Sequence, residues 1–181
     1  MRALVSERRP RGNQGLTLLE IVIAMAVLAV ALFALMSSIM SASSLHDNSR
    51  EKVLAYNAAR QAIEAMRNTT FAQIYTTYRS GPNNQFTVTG LNPIPGVPVG
   101  QIFFPADSNG AIREDFYLID ATLASTLGMT SPGKDLNGDG AIDSKDHSQD
   151  YKILPVMVRV QWQGTGGKRA QIEVATFITV Q

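Results

Sequence analysis

Every residue from Ile21 to Met36 is apolar, and one carboxylate, Glu20, stands at the head of that run. Counting Leu16 to Leu19 before it and Ile39-Met40 after it, the segment is about 25 residues long. At ~1.5 Å rise per residue, a helix of that length spans the ~30 Å hydrocarbon core of a bilayer. An ionisable side chain inside such a segment is disfavoured by a few kcal/mol or more, so it is read first as functional and needs a partner.

The residues just before supply one. The chain reads Gly15-Leu16-Thr17-Leu18-Leu19-Glu20 after a short leader carrying Arg2, Arg8, Arg9 and Arg11. This resembles the prepilin signal of type IV pilins and type II secretion pseudopilins. The resemblance implies cleavage by a prepilin peptidase between Gly15 and Leu16, N-methylation of Leu16, and a glutamate, here Glu20, as fifth residue of the mature chain. Leu16 stands where the family usually has phenylalanine. Cleavage would expose a cationic α-amino group among packed apolar helices, where an unpaired charge is costly. A carboxylate one turn away, on the same or a neighbouring chain, neutralises it. An uncleaved signal anchor, with the arginines holding the N-terminus in the cytoplasm, is the competing reading. A secretory signal peptide fits less well, because the apolar stretch is long and the small-residue sites at Ser37-Ser38 and Ser41 to Ser44 lie far along it.

The remaining length accommodates one further domain. The first fifteen residues carry four arginines against Glu7, whereas the rest holds twelve basic and fourteen acidic side chains. A mildly acidic body has no basic stripe for a nucleic-acid groove, and no nucleic-acid partner is expected. There are no cysteines, which excludes disulfides, thiolate chemistry and cysteine metal sites.

Past a serine-rich stretch at Ser41 to Ser44, Val53, Tyr56, Ala59, Ile63 and Met66 recur at helical spacing. They predict an amphipathic continuation facing a sheet. Arg60 and Glu64 stand at i,i+4 spacing on the opposite face, and Asn68-Thr69-Thr70 ends the helix. Phe71 to Tyr78 adds a short helix or turn. Strands are expected at Phe86–Thr89, Gln101–Phe104 and Phe116–Leu123. A closing hairpin of Ile153–Gln163 and Gln171–Val180 turns at Gly164-Thr165-Gly166-Gly167. This last pair resembles the final hairpin of minor pilins and pseudopilins. The expected fold is α+β: a long N-terminal helix, half of it transmembrane, packed on a small antiparallel sheet. The divisions are a leader at 1–15, a membrane or filament-core half-helix at 16–40, an amphipathic half-helix at 41–68 and a β-rich domain at 69–181.

The segment Asp135-Leu136-Asn137-Gly138-Asp139-Gly140-Ala141-Ile142-Asp143-Ser144-Lys145-Asp146 has the pattern of a calcium loop. Asp135, Asn137 and Asp139 fall at positions one, three and five, and Gly140 at the sharp turn. The Ala141 carbonyl falls at seven, Asp143 at nine and Asp146 at twelve. Ile142 is expected to anchor the loop to the core. A structural Ca2+ would hold together carboxylates that otherwise repel. The aspartate at the last position and the single copy resemble an extracellular dockerin-type loop, although a cohesin-binding dockerin usually carries two. The alternative is a surface turn rich in Asn, Asp and Gly.

Neither His46 nor His147 has a Cys or His neighbour at ligand spacing. No phosphate loop, nucleophile elbow or catalytic carboxylate pair stands out, and Trp162 is expected in the core or an interface. The chain reads as a non-enzymatic subunit of a type IV pilus or secretion pseudopilus, of minor type. The partners implied by the resemblance are prepilin peptidase, other pilin or pseudopilin subunits, an inner-membrane assembly platform and, before assembly, membrane lipid. A single-span inner-membrane precursor with a cytoplasmic N-terminus, passing into a periplasmic or extracellular filament, is the location expected.

Overall fold

The computed structural model describes residues 17–180. Helix α1 runs over Leu18–Arg67. It includes the serine-rich stretch, where serine hydroxyls bond back to the helix carbonyls: Ser44 Oγ donates to the Ser41 carbonyl (2.9 Å) and Ser49 Oγ to that of Leu45 (2.9 Å). Two compact units meet within this helix, the first ending at Ser44 and the second spanning Leu45–Gln181.

In the first unit the helix is apolar on all sides and exposed, with Leu18, Phe33 and Met40 all more than two-thirds accessible. It is long and apolar enough to cross a membrane. A helix hydrophobic all round is stable only where lipid or other protein covers it.

In the second unit the remainder of α1 packs on a four-stranded antiparallel sheet of order β1-β2-β3-β4. The strands are β1 (Gln85–Phe86), β2 (Gly100–Phe103), β3 (Ile153–Gln163) and β4 (Arg169–Thr179). The α+β architecture expected from the sequence is the one observed. Strands β3 and β4 pair along their whole length, from Ile153↔Thr179 to Gln163↔Arg169. The inward residues of β3, from Leu154 through Val156, Val158 and Val160 to Trp162, are all buried. Hydrophobic burial stabilises at ~25 cal/mol per Å², and this row and the buried stripe of the helix belong to one core cluster.

The buried stripe of α1 is Ala55, Ala59, Ile63 and Met66, whereas Val53 and Tyr56, expected in it, are 58% and 49% exposed. Two alanines with no accessible surface let the helix backbone approach the sheet, which rotates the larger side chains outward. The ion pair on this helix joins Glu64 to Arg67 (3.2 Å) and not Arg60 to Glu64. Helix α2 (Phe71–Tyr78) forms where expected. The strand predicted at Phe86–Thr89 is cut to Gln85-Phe86. That predicted at Phe116–Leu123 is replaced by a 3-10 turn, Phe116–Leu118, and helix α3, Ala121–Thr126. Asp120 decides the second case, since its side chain accepts from the Leu123 backbone N–H (2.9 Å) and starts a helix inside an apolar run.

Between β2 and β3 the chain is largely irregular, yet Ile112, Phe116, Leu127, Met129 and Leu136 join the same core cluster as the sheet. This segment also reaches the outer face of the sheet. The Lys134 ammonium lies 4.4 Å from the centre of the Phe177 ring.

Candidate functional site

Two places carry the sequence-predicted chemistry. At the N-terminal one, Gly15 and Leu16 lie outside the described residues. Glu20 is exposed in the first turn of α1. Its backbone N–H donates to Thr17 Oγ1 (3.2 Å), so Thr17 caps the helix. A carboxylate in that turn also faces the positive end of the helix dipole.

The second place is built from the acidic loop and a strap that crosses it. The strap folds back at Asp107, whose carboxylate accepts from the N–H groups of Asn109 and Ala111 (2.9 and 3.0 Å). An isolated Ala106↔Ile112 bridge closes the strap, and the Tyr75 hydroxyl donates to the Gly110 carbonyl (2.6 Å). This delivers Glu114 to the loop. Glu114 is 1% exposed. Its Oε1 accepts from the Leu136 and Asn137 N–H groups (2.7 and 3.3 Å), and its Oε2 from that of Asp143 (3.1 Å). Gly133 allows the approach, because a Cβ there would lie 2.3 Å from the Glu114 carbonyl oxygen.

Within the loop the predicted ligands serve the backbone. Asp135 accepts from the N–H groups of Gly138 and Gly140, and Asp139 from Ala141. Asn137 Oδ1 accepts from Asp139 (3.0 Å). Gly140, at the sharp turn, has φ +86°, a conformation that favours glycine. Asp146 ties loop to strap, its Oδ1 accepting from the Ile112 N–H (3.1 Å). Leu136, with no accessible surface, is the apolar anchor, while Ile142, expected in that role, is 39% exposed. The carbonyl of Leu136 receives the Lys152 and Ile153 N–H groups, so the anchor sits at the start of β3.

His147, like Glu114, was not among the ligands expected from the sequence. It is 3% exposed. Its Nε2 lies 3.0 Å from Asp143 Oδ1 and 3.8 Å from Glu114 Oε2, and its Nδ1 lies 3.1 Å from Asp150 Oδ1. Burial pulls the imidazole pKa down. The Asp143 hydrogen bond, with Glu114 and Asp150, outweighs that pull, and the ring titrates above its ordinary value. The Lys145 ammonium, then the Lys145 N–H and His147, hold the Asp143 carboxyl well below the usual carboxylate range. Backbone N–H bonding, led by Gly140, lowers Asp135.

Glu114, Asp143 and His147 thus form a group whose ligand atoms all lie within 4.8 Å of one another and which could hold a metal ion. Of the predicted ligands only Asp143 belongs to it. Of the missed members, Glu114 had no local signal, being 21 residues before the loop begins, whereas His147 stands four residues after Asp143 and three before Asp150, a spacing to carboxylates that a search for Cys or His neighbours does not weigh. The acceptor-rich loop itself offers the oxygen donors a hard cation takes, from Asp135, Asn137, Asp139 and the Ala141 carbonyl.

An exposed apolar helix with a carboxylate in its first turn, long and apolar enough to cross a membrane, fits membrane anchoring. The model of the prokaryotic N-terminal methylation motif matches residues 10–36, so the head of the chain is similar to that of prepilins of the type IV pilin and pseudopilin kind. Neither the curated proteins nor the solved structures show a significant match.

Proposed function

We propose that this protein is a structural subunit, of minor type, of a type IV pilus or type II secretion pseudopilus, and not an enzyme. The observation that carries the reading is the methylation motif at residues 10–36 on the head of a helix whose apolar surface is uncovered from Leu18 to Met40. The precursor sits in the inner membrane with its N-terminus in the cytoplasm. Prepilin peptidase cuts between Gly15 and Leu16, and Leu16 is then methylated. The helix leaves lipid for a filament core made of like helices from other pilin or pseudopilin subunits, on an inner-membrane assembly platform. Glu20 neutralises an N-terminal amine as the subunit docks. A calcium ion held by Asp135, Asn137, Asp139, Ala141, Asp143 and Asp146 steadies the loop of a domain with no disulfide; the donor set and the glycine turn support that choice of ion.

The test is the N-terminal mass and sequence of the protein recovered from membranes and from sheared filaments. A chain beginning at Leu16 is expected. One still beginning at Met1 overturns the reading and leaves an anchored surface domain. Glu20→Ala should sharply reduce incorporation into filaments while leaving membrane insertion intact, and normal incorporation would remove the pairing role.

A further inference from the structure

Around His147 one ring nitrogen and two carboxylate oxygens, from Asp143 and Glu114, lie within 4.8 Å of one another, and the histidine and the glutamate are both buried. Asp150 Oδ1 faces Nδ1 at 3.1 Å; in the neutral tautomer that donates its Nδ1 proton there, the Nε2 lone pair turns toward Asp143 Oδ1 (3.0 Å) and Glu114 Oε2 (3.8 Å). A carboxylate on the far nitrogen is the arrangement that orients metal-binding histidines and makes them more basic. The carboxylates have capacity left. Glu114 Oε2 accepts one backbone N–H, from Asp143, and Asp143 Oδ1 one, from Lys145; each oxygen has a second lone pair. The Lys145 ammonium occupies the other Asp143 oxygen, Oδ2, and leaves Oδ1 to the ring side.

We propose that Glu114, Asp143 and His147 bind one divalent transition ion of the zinc class, with Asp150 orienting the histidine. One imidazole and two carboxylates suit zinc, and three protein ligands leave a position for water. Calcium, an oxygen binder, does not select an imidazole. The ion ties the strap at Glu114 to the end of the acidic loop. Asp143 is shared with the calcium loop, where it fills the ninth position, often bridged through water. The other five oxygen donors keep their places. This inference is independent of the filament reading, which is decided at the N-terminus.

The test is a zinc titration of the full chain in detergent after chelator treatment, by calorimetry and by the 15N resonances of the two histidines. One equivalent of zinc should bind in the micromolar range or tighter and shift the Nε2 resonance of His147. Affinity should fall at least ~100-fold in His147→Gln and ~10-fold or more in Asp150→Asn. It should hold in Asp139→Asn and His46→Gln. Zinc that leaves His147 Nε2 unmoved, or binds His147→Gln as tightly, overturns the proposal. Should His147→Gln fail to fold, the resonance shift of the unaltered protein decides alone.

Discussion

Replacing Glu114 by glutamine changes one atom of a buried side chain and removes an acceptor from a place that has donors on every side. In the better of its two orientations the amide oxygen keeps the Leu136 and Asn137 N–H groups, and the new NH2 faces the Asp143 N–H, which loses its partner. A buried donor left without an acceptor costs about 1–3 kcal/mol. For a unit of this size each kcal/mol moves Tm by roughly 3 °C, so Glu114→Gln should melt about 3–9 °C lower in the presence of chelator. Glu114→Ala strands all three N–H groups and should fall further. Trp162, the single tryptophan and 1% exposed on β3, reports the unfolding by fluorescence in detergent-solubilised full chain. A Tm within 1 °C or so of the unaltered protein would refute the role given to Glu114 in closing the loop.

Glu51 accepts from Trp162 Nε1 (2.8 Å) and Thr165 Oγ1 (3.2 Å); Glu51→Ala should lower the denaturant midpoint by an amount equal to about 1–3 kcal/mol and red-shift Trp162 emission, with Glu51→Gln losing less. A Cβ at Gly100 would lie 2.3 Å from the Phe86 ring, so Gly100→Ala should destabilise by about 1–3 kcal/mol, and trimming Phe86 to leucine in the same chain should recover part of the loss in a melt. Calcium at about 100 times its Kd, near 10 mM for an extracellular-type loop, should stabilise the protein by about 2.7 kcal/mol. Asp139→Ala, which removes the fifth-position oxygen, should lose most of that shift, and an equal response to magnesium would count against a calcium site.

The sequence carried α1, α2 and the closing hairpin because their signals are local. The apolar run, the alternation around Val156 to Trp162 and the glycine-rich turn each lie within one element. It misplaced the face of α1 because periodicity gives a stripe and its partner decides the angle: two alanines at the contact outweighed Val53 and Tyr56. It read Phe116 to Leu123 as a strand because apolar content is ambiguous over short runs, and a single cap at Asp120 settled the matter. The acidic loop was legible as a ligand-rich turn. The Glu114–Asp143–His147 group was not, because its members come together only after the strap is laid over the loop, and no spacing rule records a contact between residues 29 or 33 positions apart.

The bonds that hold this loop run through backbone amides that no helix or strand contains. The N–H groups of Ile112, Leu136, Asn137, Asp143 and His147 all have acceptors across the strap–loop boundary. Amide exchange would therefore trace an island of slow protons in what a secondary-structure diagram draws as open coil. A stretch of chain that resembles a place for insertions and tags is in fact closed to them, since adding one residue between Leu136 and Asp143 would pull at least one of these amides away from Glu114.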